Sequence, residues 1–178
     1  MSMGERRGII IVHTGNGKGK TTAAMGMALR AVGHNFKILM IQFIKGTWHY
    51  GELDAVKKLN SYFEIAPMGK GFVSFEKGSD KEHRLAVIEA WDFFKDKMRL
   101  DEFDMIILDE INYVIEYNFI PVEEVLKTLR SKPDRIHLVL TGRNAHPMII
   151  EMADLVTEMR EIKHPFQKGF EAQRGIEF

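Results

Sequence analysis

The residues with the clearest chemical potential lie together near the start of the chain: Gly15-Asn16-Gly17-Lys18-Gly19-Lys20-Thr21-Thr22. A turn this dense in glycine lets backbone N–H groups converge on phosphate oxygens that side chains would otherwise shield. A helix starting at its end points its N-terminal dipole at the same anion. Lys20 is placed to reach terminal phosphates, and Thr21 offers a hydroxyl to a Mg²⁺ that bridges them. The usual phosphate-loop pattern is G-x-x-x-x-G-K-[ST]; Thr14 stands here at its first glycine position, so the match is a variant. A dinucleotide fingerprint fits less well, because the spacing is G-x-G-x-G and the second strand ends in Gln42 rather than an acid. A glycine-rich turn without function is the bland alternative, and the Lys-Thr pair argues against it.

Asp109-Glu110 follows the apolar run Met105-Ile106-Ile107-Leu108. A carboxylate at the end of a buried strand can bind Mg²⁺ directly or through water, or polarise a nucleophile. Acids also cap strands for structural reasons; beside the loop, the functional reading is the stronger one. Thr141-Gly142-Arg143 ends another strand, at the edge where open α/β sheets bind ligands. Two roles stand open for Arg143: neutralising a phosphate, or pairing with Glu110. Lys18 is a further candidate phosphate ligand. His13, His49 and His164 have no metal-ligand spacing, and the pairs Phe72/Phe75 and Phe93/Phe94 are by default packing residues.

These residues need a scaffold, and the hydrophobic pattern supplies one. Short apolar runs alternate with helical periodicity, which predicts an α/β fold with a mainly parallel sheet. Strands are expected at 8–13, 37–43, 62–66, 105–108, 136–140 and 155–159. Between them, 21–32 reads as a helix with Met25, Ala28, Leu29 and Val32 on its apolar side, stopped by Gly33. Residues 45–51 read as a loop, 52–60 as a short helix, and 67–78, with three glycines, as the most loop-like stretch. Ser79 and Glu82 form a capping-box pattern ahead of a helix with Leu85, Ile88, Trp91 and Met98 near one face. Pro121 opens another helix, with Val122, Val125, Leu126 and Leu129 as its apolar side.

The chain has 178 residues, no cysteine, and 25 basic against 25 acidic side chains, a formal net charge of zero. That length suits one domain, 1–178, with a sizeable core. The charge balance gives no general field for nucleic acid, and no stretch approaches the roughly 20 apolar residues of a membrane span. Without cysteine, disulfides, thiolate zinc sites and cysteine nucleophiles are excluded. The opening residues lack the core and cleavage site of a signal peptide, so a cytoplasmic protein is expected.

With the loop in place, further strings in a fixed order acquire meaning. They are Gln42-Phe43-Ile44-Lys45-Gly46 with Gly51-Glu52, Pro67-Met68-Gly69-x-Gly71-Phe72, Leu108-Asp109-Glu110 and Thr141-Gly142-Arg143. Ala153-Asp154-Leu155-Val156-Thr157-Glu158-Met159, Lys163-His164 and Gly169-x-x-Ala172-Gln173-x-Gly175-Ile176-Glu177-Phe178 complete the series. Over nearly the whole chain this resembles the P-loop type of ATP:corrinoid adenosyltransferases. The resemblance implies a RecA-like P-loop fold and transfer of the 5′-deoxyadenosyl group of ATP to a reduced Co(I) corrinoid, with release of triphosphate. It assigns Lys20, Glu110 and Arg143 to catalysis, and the loop from Gly15 through Thr22 to nucleotide binding. Thr21, Asp109 and Glu110 would serve Mg²⁺ or Mn²⁺. It also implies a homodimer and a flavoprotein reductase that supplies electrons.

In that family, aromatic residues after the Met-Gly-x-Gly element displace the lower axial ligand of cobalt, which makes reduction feasible. Phe72 stands where the family has phenylalanine; two positions later, where tryptophan is common, this chain has Ser74 followed by Phe75. Either Phe75 substitutes or corrinoid handling differs. Two other functions therefore stay open: an ATP hydrolase or kinase, and a non-catalytic module that binds ATP or corrinoid.

Overall fold

The computed structural model describes residues 7–46, 49–59, 62–71 and 79–177. Phe72, Ser74 and Phe75 lie outside those residues. The elements run β1 (Ile10–Thr14), α1 (Lys20–Val32), β2 (Ile38–Gln42), α2 (Gly51–Lys57), β3 (Phe63–Pro67) and α3 (Ser79–Leu100). Then come β4 (Met105–Asp109), α4 (Ile111–Glu116), α5 (Val122–Arg130), β5 (His137–Thr141), α6 (Pro147–Met152) and β6 (Leu155–Glu158). A 3₁₀ turn at Pro165–Lys168 follows.

All six strands join one sheet in the order β3-β2-β4-β5-β1-β6, and every pairing is parallel. The expected α/β fold with a parallel sheet is what the chain adopts. β1, β2 and β4 are buried at every position, which is why they read as unbroken apolar runs rather than alternating ones. Alternate residues nevertheless feed two cores. Ile10, Val12, Leu39, Ile41, Ile106 and Leu108 face a larger layer containing Trp91, Phe94, Val125 and Leu129. Ile11, Met40, Ile107 and Val139 face a smaller layer under α1.

Two packing expectations are corrected. α1 buries Ala24, Ala28 and Ala31, whereas Leu29 is 57% exposed; alanine lets the helix after the loop lie close to the sheet, and a leucine stripe would hold it away. On α3, Trp91 and Met98 are buried as expected, yet Leu85 and Ile88 are exposed, and the inward face is Ala86, Val87, Ala90, Trp91, Phe94 and Met98. β6 is an edge strand paired only to β1, with Leu155 and Val156 exposed. Two short helices, α4 and α6, went unread in the sequence, each being six residues long and below the length at which periodicity is visible.

Candidate functional site

Parallel register sets a row of polar residues across the carboxyl ends of the strands. Gln42 is level with Pro67 on one side and Asp109 on the other, and His13 is level with Thr141 and Thr157. Gln42, Asp109, Thr141 and His13 are all buried. Burial of such a row is costly unless its members bond to one another. Gln42 and Thr141 meet at Asp109, whereas both ring nitrogens of His13 are buried with no hydrogen-bond partner among the described residues. Asp109 Oδ1 accepts from the hydroxyls of Thr21 and Thr141, each at 2.8 Å, and Gln42 Nε2 lies 3.5 Å from Asp109 Oδ2. Thr141 Oγ1 also accepts from the Glu110 backbone N–H at 3.0 Å. Thr141 thereby fixes both halves of the Asp-Glu pair.

The loop itself runs from β1 into α1, as its sequence requires. Gly15 (φ +95°) and Gly19 (φ +111°) adopt left-handed conformations that glycine accepts without strain. At Gly15 and Gly17 the need for glycine is doubled by close approach. A Cβ at Gly15 would fall 2.5 Å from the carbonyl oxygen of Met159, and one at Gly17 would fall 2.8 Å from the Arg160 backbone. The two segments are hydrogen-bonded, Gly17 N–H to Met159 O at 2.7 Å and Met159 N–H to Thr14 O at 2.8 Å. Thr14, the departure from the usual first glycine, is 8% exposed and accepts from the Ala145 N–H through its hydroxyl. It anchors the loop to the β5–α6 connection.

Lys20 folds back over the loop and donates to the carbonyls of Gly15 (2.8 Å) and Gly17 (2.7 Å). Burial pushes its pKa down, with Arg143 adding to that effect while Glu110 and Asp109 oppose it. The loop, Thr21 and the strand-end acid are therefore brought together. Thr21 and Asp109 fit one magnesium-nucleotide complex: a hydroxyl and a carboxylate, with the remaining coordination left to phosphates and water. No group of three or more His, Asp or Glu suited to a metal is found among the described residues, so an all-protein cage is not what the fold builds there.

Asn16 and Thr22 are exposed beside the loop. Lys18 Nζ pairs at 2.7 Å with Glu177 of the C-terminal segment, and its side chain is 54% exposed. Arg143 is exposed and makes no ion pair among the described residues, so the pairing with Glu110 is not formed. It remains close enough to act electrostatically on both Glu110 and Lys20. Two participants were not singled out from the sequence. Asn112, fully buried on α4, donates to Gly142 O at 2.9 Å, and its Oδ1 has no partner among the described residues. Met159 supplies backbone to the loop. The first was hidden because α4 carried no signal; the second acts through main chain that any residue possesses.

Glu110 occupies a left-handed conformation (φ +64°) between β4 and α4, and its Oε2 is buried without a partner among the described residues. Burial, reinforced by Asp109, pushes its pKa up from 4.5 to about 7, against the pull of Lys20, Lys45 and Arg143. A native pKa above the unfolded one means that the native state holds the proton more tightly. The resulting stability is full below the unfolded pKa and is lost as pH rises through about 7. Glu110→Gln removes that dependence. In nucleotide- and metal-free protein, denaturant melts at pH 5 and pH 8 should show the variant gaining on the native chain by on the order of 2–3 kcal/mol. An equal difference at both pH values would contradict the assignment.

Comparison with known proteins adds an independent line. A family model described as ATP:corrinoid adenosyltransferase BtuR/CobO/CobP matches residues 6–178. The chain is 42% identical over 174 residues to a corrinoid adenosyltransferase of Escherichia coli K12, covering 98% of this chain and 87% of the relative. It is 42% identical over 174 residues, with the same two coverages, to the corrinoid adenosyltransferase CobA of Salmonella typhimurium LT2. A corrinoid adenosyltransferase of Sinorhizobium sp. is 43% identical over 177 residues, covering 98% of this chain and 82% of the relative.

Proposed function

Because the chain belongs to the ATP:corrinoid adenosyltransferase family, we propose that the loop and the Asp109 network hold ATP for transfer of its 5′-deoxyadenosyl group to a reduced corrinoid. In this reaction the Co(I) electron pair attacks the ribose 5′-carbon and forms the Co–C bond. The C5′–O bond breaks, and triphosphate leaves with that bond's electrons. The phosphate loop serves a leaving group rather than a transferred phosphoryl, and its task is to neutralise the charge that develops as the whole triphosphate departs.

The observation that carries this reading is the convergence of Lys20, Thr21 and Asp109 on one loop, in a chain matched by the family model over 6–178. Lys20 holds the triphosphate. Mg²⁺ or Mn²⁺ would be held by Thr21 and Asp109, with Glu110 beside them, and would supply charge neutralisation on the phosphates when bound. Arg143, exposed at the rim and unpaired among the described residues, adds positive potential toward the same charge. Phe72 and Phe75 take the ligand-displacing role on the corrinoid side, a role that rests on the family resemblance. Residues 1–178 act as one domain in the cytoplasm, supported by the single sheet and the absence of cysteine. A second copy of the chain and a flavoprotein reductase complete the system; the exposed apolar side chains of β6 and the C-terminal segment give a second copy a surface to cover.

The deciding experiment supplies ATP, Mg²⁺ and a corrinoid reduced chemically to Co(I). Equal amounts of triphosphate and a light-sensitive alkyl-cobalt product are expected. ADP or free phosphate as the nucleotide-derived product would instead identify a kinase or hydrolase. Tight binding of both substrates without a new cobalt–carbon bond would identify a binding module.

A further inference from the structure

Lys45 stands outside the loop, yet it touches three different parts of the molecule. Its Nζ pairs with Glu52 Oε1 at 2.7 Å in the first turn of α2, lies 3.9 Å from Asp109 Oδ2, and sits 4.7 Å from the centre of the Tyr50 ring. The Lys45 side chain is only partly exposed, at 22%. One cation thus divides its attraction between a carboxylate of α2 and the carboxylate proposed to serve the nucleotide's metal.

The backbone at the same position does something separate. Lys45 O accepts from Gly69 N–H at 3.1 Å, and Ile44 O accepts from Gly71 N–H at 2.9 Å. Gln42 O accepts from both Met68 and Gly69 N–H. The contact is so close that a Cβ on Gly69 would overlap the Ile44 backbone at 2.2 Å, and one on Gly46 would fall 2.8 Å from Gly71 N. Residues 44–46 and 68–71 are therefore bonded and packed backbone to backbone. The second of these runs directly into the segment that carries Phe72.

We propose that Lys45 is a positioning residue that couples the metal–nucleotide end of the site, at Asp109, to the Met68–Gly71 turn. The inference rests on the proposed function for the identity of the two ends. With a divalent cation held at Asp109, the ammonium would lose its share of that carboxylate. Its remaining partner is Glu52, so the Lys45 backbone shifts, and the Met68–Gly71 turn shifts with it. Nucleotide binding is in this way reported to the corrinoid side before any corrinoid is present.

The test needs no turnover and no corrinoid. Amide hydrogen exchange in peptides covering residues 66–71 is followed with and without MgATP, alongside the MgATP Kd from calorimetry. In the native chain, MgATP should change exchange of the Met68, Gly69 and Gly71 amides by about threefold or more. Lys45→Met should abolish that change while the Kd stays within about threefold. Lys45→Arg, which keeps the charge, should restore part of the response. An unchanged exchange rate in the native chain overturns the proposal, as does an identical response in Lys45→Met. A Kd weakened more than about tenfold by Lys45→Met, with the exchange response intact, overturns it in favour of direct phosphate binding. Failure of adenosyl transfer itself is read separately, from the product assay, so the two ideas stand or fall apart.

Discussion

Lys20→Ala should lower the rate of adenosyl transfer by at least about 10²–10³-fold, while the protein still folds. The ammonium is 8% exposed and lies at the centre of the loop, 2.7–2.8 Å from two of its carbonyls. A donor fixed there needs no reorganisation when charge develops on the departing triphosphate, which is the condition under which such groups contribute most. The folded state gives up little in exchange. The lysine is partly desolvated, its pKa is depressed by that burial, and its hydrogen bonds are worth about 1 kcal/mol each at most. Stability should therefore change by no more than about 2 kcal/mol, and the far-UV spectrum not at all. The diagnostic pair is activity lost with melting retained. A variant of undiminished activity would show that the loop does not carry the leaving group.

The second large effect concerns the opposite side of the sheet. Trp91 is 2% exposed, packs against Phe94 with ring centres 5.0 Å apart, and donates from Nε1 to Glu124 Oε1 at 3.0 Å. Truncation to alanine removes the largest side chain of the main core, opens a cavity and leaves the Glu124 carboxylate without that donor. Losses of about 3–5 kcal/mol are typical of such changes, against a total of about 5–15 kcal/mol for a domain. Melting should fall by about 10 °C. Trp91→Phe keeps most of the packing and should lose about half as much. Any nucleotide still bound by the folded fraction should bind normally, because α1 and its loop pack on the other face. A loss below about 1 kcal/mol in Trp91→Ala would mean that this core relaxes far more readily than close packing allows.

Legibility from sequence followed physical lines. The parallel strands were readable because burial on both faces leaves an unbroken run such as Met105–Leu108. The phosphate loop and Asp109-Glu110 were readable because their chemistry depends on residue type at fixed local spacing. The inward face of α1 was legible in part: Ala28 is buried and Met25 and Val32 pack against the core as expected, whereas Leu29 is exposed and Ala24 and Ala31 complete the face. Nor could any local pattern show that Lys18 would be held by Glu177, a partner 159 positions away. The same holds for Asp109, whose two threonine donors come from helix α1 and strand β5. Motif reading found the groups; only register across the sheet revealed which of them share a proton.

The first strand and its loop have a further property that follows from where they sit. β1 lies between β5 and β6, and the loop is braced against Met159 and Arg160. The first strand of the sheet in chain order is thus completed by the last. At about 5–20 residues per second, the glycine loop waits on the order of ten seconds for its neighbours to be synthesised. During that interval it has no wall to define its shape, and a chain interrupted before β6 would carry the full nucleotide motif without the means to close it.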